Sequence, residues 1–455
     1  MEKACDNSSD FERLIASFER KRKPIQVNFR KLVSSIPYNS ERATHFLHPY
    51  PAKLLLHIPH FFLSNNLLSS EGDLVLDPFC GSGTVLLESI LCKRKACGLD
   101  ANPLARAISR VKTTPIDPDQ LVEATEQLLA SLGELEVDES EPDVVNLNHW
   151  FYPHVTKQLL TIRSGIAKVA DRRIRDFFLI CFSACVRRSS LADPRVTVPV
   201  RLNKSRYPEG HWLHIQATNK LNRLRRMNVV TEFGMIVEAN NARMRKFATV
   251  AGKTKASVVG NDSRDATQFE KLIARSPNAK AQPLVQLIIT SPPYAGAQKY
   301  IRSSSLSLGW LNLCSTSNLR AECGNSVGRE HYYKDEYAEL TTTGISHADW
   351  HLKRIHNRYP LRAHIAANYL LEMQQCFTNS IRTLKRGGYF VLVAANNSIC
   401  GKNFATKDYL KAILEAQGLK LKLELLDDIH SRGLMTKRNK TASVITRESV
   451  LLFQK

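Results

Sequence analysis

Short apolar runs that stop at an acid or a tight turn recur along this chain, separated by longer stretches with apolar residues every three or four positions. Leu74-Val-Leu76 precedes Asp77, Lys95-Ala-Cys-Gly-Leu99 precedes Asp100, Val258-Val-Gly260 leads to Asp262, and Leu284 to Thr290 runs into Ser291. A run this short without polar alternation reads as a parallel strand buried on both faces. Tyr389 to Ala394, Leu419 to Ile429 and Val444 to Phe453 add three more strands, the last two joined by a Lys/Arg-rich loop. Helical spacing predicts helices over Val85 to Leu91, Leu54 to Phe62, Phe177 to Val186, Tyr300 to Leu313 and Ala366 to Leu384. Strands that alternate with helices in this way define an α/β chain with a mostly parallel sheet.

The segment Asp77-Pro-Phe-Cys-Gly-Ser-Gly-Thr84 organises the rest. A strand ends in a carboxylate, two glycines follow, and a helix begins. Gly81 and Gly83 allow positive φ and close approach of a ligand, and the helix start offers unpaired N–H groups to whatever lies on the turn. A second strand ends in an acid, Asp100, about twenty residues further on, where a ribose-binding carboxylate is expected in nucleotide-type sites. No Lys-Ser or Lys-Thr pair follows the glycines, which disfavours a phosphate loop, and the third glycine of a nicotinamide site is missing.

The strand pattern divides the chain. Residues 1–44 read as a polar, basic arm with a helix over Phe11 to Arg20, and 45–112 carry the first strands. Residues 113–257 interrupt the pattern with helical and basic sequence, and 258–455 resume it with a polar insertion at about 315–362. In that insertion Tyr332, Tyr333, Trp350, Lys353, Arg354 and Arg358 are candidates for recognition or for a lid.

Charge narrows the class of partner. The 455 residues hold 64 Lys and Arg against 43 Asp and Glu, a formal charge of +21, an excess that favours a polyanion and nucleic acid first. The excess concentrates between 187 and 226, where Arg187, Arg188, Arg195, Arg201, Lys204 and Arg206 are followed by Arg223, Arg225 and Arg226. Tyr207, His211, Trp212 and His214 interleave with them, a mixture that suits phosphate contact with stacking or groove readout. The ten cysteines form no Cys-x-x-Cys pair. Cys181 and Cys185, one turn apart in an apolar run, read as core, so no metal is expected. With no apolar leader at the start and no run long enough to span a bilayer, the expected location is cytoplasmic.

The motifs taken together resemble those of S-adenosylmethionine-dependent DNA methyltransferases that modify exocyclic amines. Asp77 to Thr84 and Gly98-Leu-Asp-Ala-Asn-Pro103 are similar to the family's first two motifs, and His45-Phe-Leu-His-Pro-Tyr-Pro-Ala-Lys53 to the segment that precedes them. The resemblance implies a Rossmann-like methyltransferase core: a mostly parallel seven-stranded sheet with an antiparallel last strand, here carrying a helical basic insertion. It implies S-adenosyl-L-methionine as cofactor, held by Tyr50, Pro51, Ala52 and Lys53, by Asp77, Pro78, Phe79, Gly81, Ser82, Gly83 and Thr84, and by Asp100, Ala101 and Asn102. Asp262 and Ser263 would lie beside the adenine, and Lys53 is a candidate partner for the cofactor's carboxylate. The partner implied is double-stranded DNA, and a cognate restriction endonuclease is admitted.

Ser291-Pro-Pro-Tyr294 carries the chemistry in this reading. An exocyclic amine is a poor nucleophile because its lone pair is delocalised into the ring. Acceptors on its N–H groups favour a more tetrahedral nitrogen. Proline fixes φ and donates no N–H, so a strand end with Pro292 and Pro293 can present carbonyl oxygens to the amine, and Tyr294 offers a flat face to a base taken out of the stack. By resemblance Ser291 and the Pro292 carbonyl accept from the amine. Ser in the leading place is commoner in N4-cytosine members, which makes N4 of cytosine the preferred target and N6 of adenine the alternative. The motif order and the long insertion between Asp100 and Asp262 depart from the usual serine-led members. An RNA or tRNA base methyltransferase is a further alternative, and a DNA-binding module with an inactive core a third. A C5-cytosine mechanism needs a Pro-Cys loop, and the chain has no Pro-Cys pair.

Overall fold

The computed structural model describes residues 7–36, 42–51, 53–276, 279–295, 300–428 and 447–455. Eight strands form one sheet: β1 (Ile25–Val27), β2 (Leu74–Asp77), β3 (Lys95–Leu99), β4 (Ala256–Gly260), β5 (Val285–Thr290), β6 (Leu384–Ala394), β7 (Lys420–Asp428) and β8 (Arg447–Gln454). Their order across the sheet is β1-β7-β8-β6-β5-β2-β3-β4. Every pairing is parallel except those of β8, which runs antiparallel to both β7 and β6. This is the Rossmann-like α/β sheet with its antiparallel last strand, and it has one strand more than the seven expected.

The extra strand comes from the amino-terminal arm. Ile25–Val27 pairs with Leu425–Asp427, and the helix Ser8–Lys21 before it buries Phe11, Leu14 and Phe18. Phe11 and Phe29 pack against Phe61 and Phe62. A basic surface masks this apolar spacing in the sequence, so residues 7–33 belong to the core and are not a solvated arm.

The insertion is also part of the body. Its helices Pro118–Ser131, Pro153–Ala167, Arg172–Ser189, Trp212–Arg225 and Val229–Val250 share one buried cluster with Leu87, Ile90, Leu104, Ile108 and Leu306 of the core. The last of these helices, 22 residues long, is absent from the expected elements. The predicted helix over Tyr300 to Leu313 is two short ones, Tyr300–Ser303 and Ser305–Trp310. No helix among the described residues is long and apolar enough to cross a membrane.

The topology places a rim. β5, β2, β3 and β4 are neighbours and all parallel, so their carboxyl ends lie along one edge, with the order reversing between β2 and β5. Ligands of open α/β sheets bind outside such a switch point. Here Thr290 Oγ1 donates to Asp77 Oδ1 at 2.8 Å, tying the two strand ends across it.

The glycine turn is shaped by two different needs. Gly83 has φ +78°, and a Cβ there would fall against Ser109 Oγ and 3.1 Å from Ser109 Cα. Gly81 has φ +50° with open space where a Cβ would stand. Gly83→Ala should therefore destabilise the fold by about 2–5 kcal/mol, from the left-handed backbone and forced packing, measured as a lower urea midpoint. Gly81→Ala should leave the midpoint closer to that of the parent chain and weaken cofactor uptake instead.

Candidate active site

The strand ends deliver their acids and turns to one cleft of about 1130 Å³, counted with its part open to solvent. From the first motifs it is lined by Tyr50, Pro78, Phe79, Gly81 and Asp100 to Asn102. Asp262 and Ser263 line it from the end of β4, and Ser291, Pro293 and Tyr294 from the end of β5. The glycine turn and the Ser-Pro-Pro-Tyr turn thus share one cavity, although about two hundred residues separate them.

The supports of each wall are explicit. Asp100 accepts from Gly81 N at 2.9 Å and from Asn102 N at 2.8 Å, so the second acid holds the first turn in shape. Burial raises its pKa against those two bonds. Asn102 caps the helix Pro103–Thr113 and donates to the Tyr50 hydroxyl at 3.0 Å, which fixes the ring at the cleft. Asp77 lies behind the wall and accepts from Thr290 Oγ1 and, at 3.0 Å, from Phe79 N. Burial pushes its pKa up to about 7, those hydrogen bonds opposing and Asp100 adding to the rise.

Several expected residues take supporting places. Pro51, Lys53, Ser82, Gly83, Thr84 and Pro292 are not on the cleft wall, and Ala52 lies outside the described residues. Lys53 Nζ donates to the carbonyls of His45 at 3.2 Å and His48 at 2.5 Å. Burial, with Arg243 nearby, lowers its pKa to about 8. Ser291 Oγ has no hydrogen-bond partner among the described residues and faces the cavity. The Tyr294 hydroxyl lies 3.4 Å from Glu448 Oε1, and burial together with that carboxylate keeps the phenol protonated far above its usual range.

The opposite wall was not foreseen. Tyr300 to Arg302, Cys323 and residues 325–331 complete the cleft, the last of these from a stretch whose polar, aperiodic sequence offers little beyond a glycine at 328. Gly328 has φ +76°, and a Cβ there would lie 3.4 Å from the Tyr294 carbonyl oxygen and 3.2 Å from the Tyr369 ring. Of the foreseen candidates, Tyr332, Tyr333 and Trp350 do not line the cleft.

The basic stretch divides as well. Arg187 is largely enclosed and donates to the Val196 carbonyl at 2.7 Å, Arg188 pairs with Glu232 at 3.0 Å, and Arg195 grips Asp193 at 2.6 Å. These three brace the insertion. Arg201, Lys204, Arg206, Arg223, Arg225 and Arg226 are exposed. Beside them stand a stacked row of Tyr207, His211 and Trp212, the last 64% exposed.

Comparison with known proteins finds related sequences. A sequence model described as DNA methylase, of the N6/N4 type, matches residues 13–110, the stretch holding the glycine turn and Asp100. Over 378 residues the chain is 25% identical to the Type II methyltransferase M.MvaI of Kocuria varians, covering 79% of this chain and 78% of that protein. It is 32% identical over 77 residues to the Type II methyltransferase M.MjaII of Methanocaldococcus jannaschii, covering 17% of this chain and 14% of that one. These matches support placing the chain with the S-adenosylmethionine-dependent DNA amino-methyltransferases. They support a DNA methyltransferase of the N4/N6 kind, an activity whose substrate is DNA.

The cleft fits the family's cofactor on its own chemistry. It offers the aromatic faces of Tyr50 and Phe79, open space above Gly81, and carboxylates at Asp100 and Asp262 that accept from hydroxyl or amino groups. When bound, the cofactor supplies a methyl group on a sulfonium.

Proposed function

We propose that this methyltransferase transfers the methyl group of S-adenosylmethionine to N4 of a cytosine rotated out of duplex DNA. The observation that carries the reading is the shared cavity: Gly81 and Asp100 stand at one part of its wall and Ser291 and Tyr294 at another. The glycine turn would hold the cofactor's methionine, Asp100 would accept from its ribose hydroxyls, and Phe79 with the Asp262–Ser263 turn would flank its adenine. Ser291 Oγ accepts from the target amine, drawing the nitrogen toward a tetrahedral shape. The Tyr294 ring carries the extruded base, a contact worth about 1–3 kcal/mol. The bound cofactor would supply the methyl group to this nitrogen as its carbon–sulfur bond breaks toward the sulfur, and the surplus proton of the methylated amine would pass to solvent.

The preference for cytosine rests on serine ahead of Pro292-Pro293. Adenine presents the same amine and is the second reading. DNA contact is assigned to the exposed cations Arg201, Lys204, Arg206, Arg223, Arg225 and Arg226, with Trp212 on the same surface. The reading includes cytoplasmic action and admits a cognate endonuclease as partner.

The test is nucleoside mass spectrometry. Plasmid DNA incubated with the chain and S-adenosylmethionine, then digested, should contain N4-methyldeoxycytidine. N6-methyldeoxyadenosine in its place would move the target to adenine, and neither product would refute the assignment of activity.

A further inference from the structure

The turn that follows β4 does more than face the cofactor. Asp262 receives three donors from one residue: Arg264 Nε and backbone N reach Oδ1, each at 2.9 Å, and Arg264 Nη2 reaches Oδ2 at 2.8 Å. The same guanidinium continues outward. Its Nη1 donates to Glu372 Oε1 at 2.8 Å, and its Nη2 also reaches the Asn325 carbonyl at 2.9 Å. Glu372 Oε2 in turn accepts from Gly328 N at 3.0 Å. The wall opposite the Ser-Pro-Pro-Tyr turn is thus fastened at two points, Asn325 and Gly328, to a ladder that begins at Asp262.

The base of the ladder is itself fixed. Ser263 Oγ donates to the Pro78 carbonyl beside the glycine turn. Asn379 Nδ2 donates to the carbonyls of Ser263 and Arg264, and Gln375 Nε2 to that of Arg264. Glu372, Gln375 and Asn379 all stand on the helix Pro360–Thr383. A planar fork holding one carboxylate with paired donors and a second with its remaining nitrogen is a geometry lysine cannot reproduce. Residues 325–331 have no regular secondary structure of their own, so these bonds supply what a helix or strand would otherwise give.

We infer that Arg264 is a positioning residue that joins the adenine-side turn to the base-side wall and sets the width of the cleft at Tyr294. The wall's place against Tyr294 follows from the same contacts, because Gly328 faces the Tyr294 carbonyl so closely that a Cβ there would lie 3.4 Å from its oxygen. The role in catalysis rests on the proposed methyl-transfer cleft, whereas the brace itself does not.

Hydrogen exchange on the full chain without ligand tests the brace directly. Arg264→Ala and Glu372→Ala should each raise exchange in peptides covering 323–331 by about tenfold or more, as loss of charge-assisted bonds in a local opening implies. Peptides covering Asp77 to Thr84 and β5 should keep their parent rates. Arg264→Lys should behave like Arg264→Ala. With plasmid DNA, kcat/KM should fall by about tenfold while calorimetric affinity for S-adenosylmethionine stays within about threefold. Unchanged exchange at 323–331 overturns the inference. So does exchange that rises equally throughout the sheet, or a loss of cofactor affinity as large as the loss of kcat/KM. A parent chain that transfers no methyl would count against the proposed activity alone, since the exchange result stands without it.

Discussion

Ser291→Ala should lower kcat for methyl transfer by about 100- to 1000-fold, the range seen when one preorganised hydrogen-bonding group is removed from a reacting centre. Cofactor affinity should stay near that of the parent chain, because Ser291 stands on the β5 turn and not on the glycine turn proposed to hold the cofactor. Tyr294→Ala should cost about 1–3 kcal/mol in kcat/KM for DNA through lost stacking. Tyr294→Phe keeps the ring face and gives up only the 3.4 Å bond to Glu448, a change of about 1 kcal/mol at most. Labelled methyl incorporation at saturating cofactor measures all three. Undiminished transfer by the Ser291→Ala, Tyr294→Ala double variant would place the chemistry elsewhere.

Loss of the Glu88 carboxylate should be the largest effect on stability. Glu88 has no exposed surface, and it accepts from Arg42 Nε at 3.1 Å, His45 Nε2 at 2.7 Å and His60 Nδ1 at 2.8 Å. Burial alone would raise its pKa, but Arg42, then the bonds from His45 and His60, hold it well below the ordinary carboxylate range. Removing Glu88 takes from the buried His45 and His60 the carboxylate they face, and from Arg42 its ion pair, at about 3–5 kcal/mol. Glu88→Ala should therefore lower the urea midpoint steeply. Glu88→Gln, which keeps the shape and two polar atoms, should fall in between. The consequence reaches the cleft, because Arg42 and His45 open the segment that delivers Tyr50.

The same cluster sets a pH window. Burial lowers the His60 pKa, but Cys92 and Glu88 outweigh that and raise it to about 10. The stability this contributes is fully present below the ordinary histidine value of 6.5 and is lost as pH rises through about 10. His45 is shifted the other way, chiefly by burial, so it opposes folding as pH falls below 6.5. Glu88 contributes above its ordinary value of 4.5, and that share is lost as pH falls through its lowered folded value. The urea midpoint should accordingly be broadest near neutral pH, with Glu88→Gln flattening both flanks.

Some of this was legible residue by residue. The strands ending at Asp77, Asp100 and Thr290 were readable because each is short, apolar and stopped by its own acid or proline. The turns at Gly81 and Ser291-Pro-Pro-Tyr294 were readable because backbone chemistry selects those residue types locally. The basic stretch was visible as composition, but composition could not separate Arg206 from Arg188 and Arg195, which are paired with Glu232 and Asp193. The first strand was hidden because three residues, Ile25–Val27, carry no period, and only their register against Leu425–Asp427 makes them a strand.

By itself the sequence determined the kind of molecule: an α/β sheet with a glycine turn, a following acid, and a proline pair suited to an exocyclic amine. Those features are encoded within about a dozen neighbouring residues, where φ preference, apolar spacing and side-chain chemistry act directly. Tertiary structure alone decided that residues 325–331 close the cleft, that Arg264 reaches Glu372, and that Glu88 gathers Arg42, His45 and His60. These depend on bonds between residues up to about a hundred positions apart, and such partners are chosen by how the helices and strands pack, which no local pattern records.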